Sequence, residues 1–104
     1  MPPKYKFEIV TMDSLVFSAD DIESVIMPAA QGYLGVLQGH MPYITQLGQG
    51  VVSIKKDANA AVNDAEWYVS GGFAKILPNS VTVFADKVEE NNSSGGNSGK
   101  NIQK

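Results

Sequence analysis

The sequence has no cysteine, no arginine and a single histidine. Without cysteine there is no disulfide framework, no thiol nucleophile and no thiolate metal site. A reducing compartment is compatible with this composition but does not follow from it. Without arginine, the eight lysines, scattered through the chain, carry all the positive charge. Nucleic-acid binders use a clustered basic face and favour the bidentate guanidinium fork. A net charge of −3 and a pI near 4.9 therefore argue against nucleic acid as a direct partner. No stretch reaches the ~18 apolar residues of a membrane span. MPPKYKFEIV at the N-terminus lacks the apolar run of a secretory signal. These absences predict a soluble or peripheral protein on the cytoplasmic side of whatever membrane it meets, with no direct membrane insertion.

What is present suits one small domain with a real core, since 43% of the 104 residues are hydrophobic. Pro28 to Gly50 holds five of the ten glycines, two of the five prolines and the histidine. That density means tight corners between short extended pieces. Around it the residues alternate with a period of two. Tyr5, Phe7 and Ile9 oppose Lys6 and Glu8; Val52 and Ile54 oppose Ser53 and Lys55; Trp67 and Val69 share a face. Leu15 and Phe17 restart the pattern after a turn at residues 11–14, and a second turn is expected over Ser18 to Asp21. Ser24 to Met27 reads as a strand ended by Pro28. Asp57 to Ala65 reads as a hairpin loop, with a half-turn of helix as the alternative. Phe73 to Leu77 and Val81 to Ala85 form a last hairpin about Pro78-Asn79. The expectation is an all-β fold, an antiparallel sandwich or barrel of about ten strands, with its alternating Phe, Ile, Val and Leu set buried between sheets. The domain, residues 1–88, is expected to end near Val88. Residues 89–104, EENNSSGGNSGKNIQK with one large apolar residue, are expected to form a disordered polar tail.

Signals of chemistry are sparse. His40 has no motif linking it to Ser70 or Thr45, so a structural or interface role competes with catalysis. No metal site is expected, because no second histidine, cysteine or suitably spaced carboxylate accompanies it. Asp20, Asp21 and Glu23 lack the glycine and remaining ligands of a calcium loop and read as a solvated turn. Residues 95–100, GGNSGK, miss both ends of a phosphate loop, and the sequons at Asn91 and Asn92 carry no meaning without a secretory signal. Trp67 is expected in the core. Tyr33, among Ala29, Ala30, Gly32 and Gly35, is either an exposed anchor for another protein or a ring folded back on its own sandwich.

An ordered set of short pieces resembles the epsilon subunit of F-type ATP synthases, called delta in mitochondria. The pieces are Ile9-Val10-Thr11 with Asp13 and Val16-Phe17; Val25-Ile26-Met27-Pro28 with Gly32-x-Leu34-Gly35-Val36-Leu37; Gly39-His40-x-Pro42 with Ile44-Thr45-x-Leu47; Gly50-Val51-Val52; Tyr68-Val69-Ser70-Gly71-Gly72-Phe73; and Val81-Thr82-Val83-Phe84-Ala85-Asp86. The resemblance implies a β-sandwich that makes no bonds itself, is a rotor part of the central stalk, and couples proton-driven rotation to ATP synthesis. The implied partners are the gamma subunit, the c-ring loops and, indirectly, the catalytic alpha/beta head. By matched position, Ala30, Gln31, Gly32 and Tyr33 are expected at the c-ring, and Thr11, His40, Met41 and Pro42 at gamma. Two departures from the family pattern stand out: Gln38 replaces the usual proline, and Tyr33 takes the place of a common carboxylate. Residues 89 to 104 are too short and too polar for the family's inhibitory two-helix hairpin. Neither that hairpin, nor an ATP site, nor any cofactor is expected. With no transit peptide visible, the expected location is the cytoplasmic face of a bacterial inner membrane. The competing readings are a free-standing ligand-binding sandwich using Trp67 or Tyr68, and a small hydrolase using His40 and Ser70.

Overall fold

The computed structural model describes residues 4–36 and 42–90. The expectations for His40, Met41, Gln38 and most of the tail lie outside the described residues. The described chain is all β. Its strands are β1 (Tyr5–Val10), β2 (Leu15–Ile22), β3 (Ser24–Ala29), β4 (Gly32–Val36), β5 (Tyr43–Gln46), β6 (Gln49–Lys55), β7 (Ala65–Leu77) and β8 (Ser80–Glu90). They run in the order β2-β1-β8-β7-β6-β3-β4, and β5 also pairs with β7. Every pairing is antiparallel except β1 with β8.

The long β7–β8 hairpin belongs to both layers of the sandwich. The first half of β7 pairs with β6, and its second half pairs with β5 along the same edge. The change of partner falls at Gly71 and Gly72, whose φ angles of 73° and 108° lie where side-chain-bearing residues are strained. One layer is β4-β3-β6 with the start of β7. The other is β5, the end of β7, the start of β8, β1 and β2. Between them lie Phe7, Ile9, Met27, Val52, Ile54, Trp67, Ile76, Val81 and Val83, all buried. Phe17 and Trp67 meet across the layers with ring centroids 4.7 Å apart, and Phe7 joins them at 6.2 Å from each. Burial of such large side chains stabilises the fold by about 1.5–3 kcal/mol each.

The β1, β7 and β8 alternation appears as the sequence implies, while in β6 Ser53 is buried along with Val52 and Ile54. Four further details differ. The described residues form eight strands, close to the ten or so expected, and two of them are longer than the sequence implies: β7 runs straight through the glycine pair and β2 through Ser18 to Asp21. Among the described strands β2 pairs only with β1, and a register shift between Tyr5 and Phe7 absorbs its polar run. An edge strand tolerates such residues. Pro28 does not end β3. The ladder to β6 stops at Ile26, so Pro28's missing N–H costs nothing there, and its carbonyl accepts the Gly48 N–H at 2.8 Å. Glu23 is buried rather than solvated. Its carboxylate accepts the Ala58 N–H at 2.8 Å and holds the β6–β7 loop. Finally, part of the apolar set expected inside faces out. Leu15, Ile44 and Phe73 are exposed.

Candidate functional site

The β3–β4 turn forms one end of the sandwich. Ala30 and Gln31 are exposed, and Gly32 takes a φ of 126° that closes the turn. The turn is bolted to the segment between β5 and β6: the Ala30 N–H donates to Gln46 O at 3.0 Å, and the Gly48 N–H donates to Pro28 O. That segment is bolted in turn to the glycine pair, through Leu47 N–H to Gly72 O at 2.9 Å and Gly71 N–H to Gly48 O at 3.3 Å. A continuous backbone path thus connects the tip to the middle of β7.

Tyr33 does both things the sequence allows. Its side chain is 61% exposed, yet its hydroxyl accepts the Val51 N–H at 3.1 Å. Past Ile26, β3 no longer satisfies β6, and the phenol takes up a donor that the ladder leaves free. Gly50 makes this possible, because a Cβ there would overlap the Tyr33 hydroxyl.

The outer face of the second layer carries an apolar stripe. By register, Leu15, Val10, Phe84 and Phe73 follow one another across β2, β1, β8 and β7, with Ile44 close by on β5. Phe73 and Phe84 stack, their centroids 4.8 Å apart and their planes at 21°. Phe73 is 45% exposed, Leu15 56% and Ile44 66%. Thr11 follows β1 at one side of this face, its N–H donating to Ser14 O at 2.9 Å. Pro42, exposed, precedes β5 at the other side. The two are therefore not neighbours; the stripe lies between them. Sequence reasoning missed the stripe. A usable signal was parity: Phe73 and Leu77 share a face with Lys75, and Phe84 shares one with Thr82, while Ala74, Ile76, Val81 and Val83 point the other way.

A groove of about 580 Å³ runs beside the β1–β2 turn, lined by Thr11, Asp13, Tyr68, Ser70, Asp86 and Lys87 among others. Ser70 is one wall of it, with carboxylates and a lysine nearby but no histidine among the described lining residues. Trp67 is buried and cannot stack a ligand, while Tyr68 on the opposite face is half exposed. Among the described residues no three His, Cys, Asp or Glu side chains gather as a metal site. The strongest electrostatic perturbation is structural. Burial raises the Tyr5 phenol well above its ordinary value, against a smaller opposing effect of a backbone hydrogen bond at Val25. Its hydroxyl donates to Val36 O at 2.7 Å, inside the sandwich.

Fold and surface together define a class: a two-layered all-β domain with an apolar stripe on its outer face. Residues 4–91 match the family described as "ATP synthase, Delta/Epsilon chain, beta-sandwich domain". The chain belongs to this family. An ATP synthase epsilon chain of Koribacter versatilis is 39% identical over 89 residues, covering 86% of this chain and 59% of that one. Another, of Bacillus velezensis, is 42% identical over 84 residues, covering 81% and 60%. This chain thus spans somewhat over half the length of these relatives. Two solved structures share the fold. One, Euglena gracilis mitochondrial ATP synthase with OSCP, F1 and c-ring, matches at a TM-score of 0.74 and 19% identity over 86% of this chain and 55% of that one. The other, the central stalk and c-ring of Tetrahymena thermophila mitochondrial ATP synthase, matches at 0.66 and 12% over 85% and 67%. Among the described residues no helix is long and apolar enough to cross a membrane.

Proposed function

We propose that this chain is a non-catalytic central-stalk subunit of a proton-translocating F-type ATP synthase. It joins the gamma subunit to the c-ring and helps couple proton-driven rotation to ATP synthesis in the alpha/beta head. The observation that carries the reading is the Phe73–Phe84 stripe. A stacked aromatic pair left on the outside of a sheet, flanked by Leu15, Val10 and Ile44, is the kind of surface that a partner covers. Gamma is proposed to cover it, with Thr11 and Pro42 at its margins and His40 and Met41 beside Pro42 in sequence. The Ala30–Tyr33 tip is proposed to meet the c-ring, and the protein to work peripherally on the cytoplasmic face of a bacterial inner membrane. A torque-bearing joint needs stiffness, and the backbone path from the tip through Leu47 and Gly48 to Gly71 and Gly72 supplies it without catalytic groups. This role draws on the sandwich alone and uses neither an inhibitory hairpin nor a bound nucleotide.

The test is capture of purified gamma by this chain, followed by assembly onto membranes carrying the c-ring. The expected result is a stoichiometric complex at micromolar concentration and no ATP turnover by the chain alone. Absence of a gamma complex under those conditions would overturn the reading.

A further inference from the structure

From Ser24 to Ile54 the sequence contains no Asp, Glu, Lys or Arg. This span supplies β3, β4, β5 and nearly all of β6, and with them the whole 30–33 tip. Every formal charge of the protein lies elsewhere. The tip is also preset. Tyr33 spends its hydroxyl on the Val51 N–H, so what it offers a partner is the ring. Two residues along the same face, Gly35 leaves bare sheet: nothing lies within 4 Å of where its Cβ would stand. Beside it Ile26 is 38% exposed. The result is an aromatic plate fixed at its far end, next to a shelf one side chain wide.

We propose that Tyr33 is the docking anchor of this end, and that the partner is a protein turn of the ring that lays a flat side chain or ring against the phenol and onto the Gly35 shelf. Contact is by packing, not by ion pairing. A carboxylate brought to this surface would lose hydration and find no cation within the Ser24–Ile54 span to meet it, which selects against it. A fixed aromatic loses little conformational freedom on binding, so its contact is retained as affinity. This inference rests on the assignment of the 30–33 tip to the c-ring.

The experiment uses the full chain bound to gamma, titrated onto c-ring membranes at pH 8. Binding is read at low and high potassium chloride for the wild type, Tyr33→Phe and Tyr33→Leu, with gamma capture and thermal unfolding measured alongside. The expected outcome is a Kd that changes less than about threefold with salt, against the steep loss seen when exposed charges carry binding. Tyr33→Phe, which keeps the ring but loses its tether to the Val51 N–H, is expected to bind about threefold more weakly, and Tyr33→Leu about tenfold more weakly, as truncation of an aromatic anchor does. Gamma capture is expected to be unchanged in all three. A wild-type Kd that rises more than about threefold with salt would overturn the inference, and needs no variant. So would Tyr33→Leu binding like the wild type. Both results leave the joint between gamma and ring intact. Failure of the wild-type complex to bind the ring at all would instead remove the functional reading, and this inference with it.

Discussion

Gly72 and Phe84 stand so close across the β7–β8 ladder that a Cβ on Gly72 would overlap the Phe84 carbonyl oxygen. The glycine also holds a φ of 108° and gives its own carbonyl to Leu47. One residue therefore fixes three things: the hairpin shared by both layers, the switch of partner from β6 to β5, and the placement of Phe73 beside Phe84.

Gly72→Ala is expected to destabilise the domain by about 3 kcal/mol, combining backbone strain with overpacking. Gly35→Ala, in open space, is expected to change stability by less than about 0.5 kcal/mol. Urea midpoints of the two variants check this. Equal effects would show that Gly72 has room to relax.

Replacing Phe73 and Phe84 together by serine is expected to leave the fold within about 1–2 kcal/mol of the wild type, because both rings lie outside the core. Affinity for gamma is expected to fall by at least about thirtyfold, the loss of a hot spot worth ~2 kcal/mol. Calorimetric titration with gamma, set against the melting curve, separates the two effects.

Glu23→Ala is expected to cost about 1–2 kcal/mol by removing the acceptor for the Ala58 N–H. Glu23→Gln keeps an acceptor oxygen and is expected to cost less. Amide hydrogen exchange at Ala58 is the direct measure: it accelerates in the alanine variant and stays protected in the glutamine variant.

Alkaline stability depends on Tyr5. Burial raises its folded-state pKa, so the native state holds the phenol proton after the unfolded chain has lost it. The sign follows from linkage. The contribution is present in full below about pH 10 and is lost as pH climbs from there toward the raised folded value, at up to about 1.4 kcal/mol per pH unit. Denaturant midpoints are expected to drop above pH 10 in the wild type, and less steeply in Tyr5→Phe. That variant is expected to pay ~1 kcal/mol at neutral pH for the lost bond to Val36.

The all-β class, the alternation in β1 and β8, the β6–β7 loop and the Pro78-Asn79 turn were legible because each is local. So was the ordered set of motifs that marks the family. The double use of β7 was not. Gly71-Gly72 reads as a break in the chain, and only the pairing of β5 and β6 along one edge makes it a bend inside a continuous strand. Pro28 misled for a similar reason, since its cost depends on whether β6 still lies alongside.

What the sequence by itself determined is which residues can be buried and where the chain can turn, since period-two alternation and backbone-permissive glycines act over a few neighbours. Which apolar residues remain outside was decided only by the tertiary structure. A strand of a sandwich has one inner face, and choosing it for Ala74 and Ile76 leaves Phe73 in water beside Phe84, eleven positions away in sequence and 4.8 Å away in space.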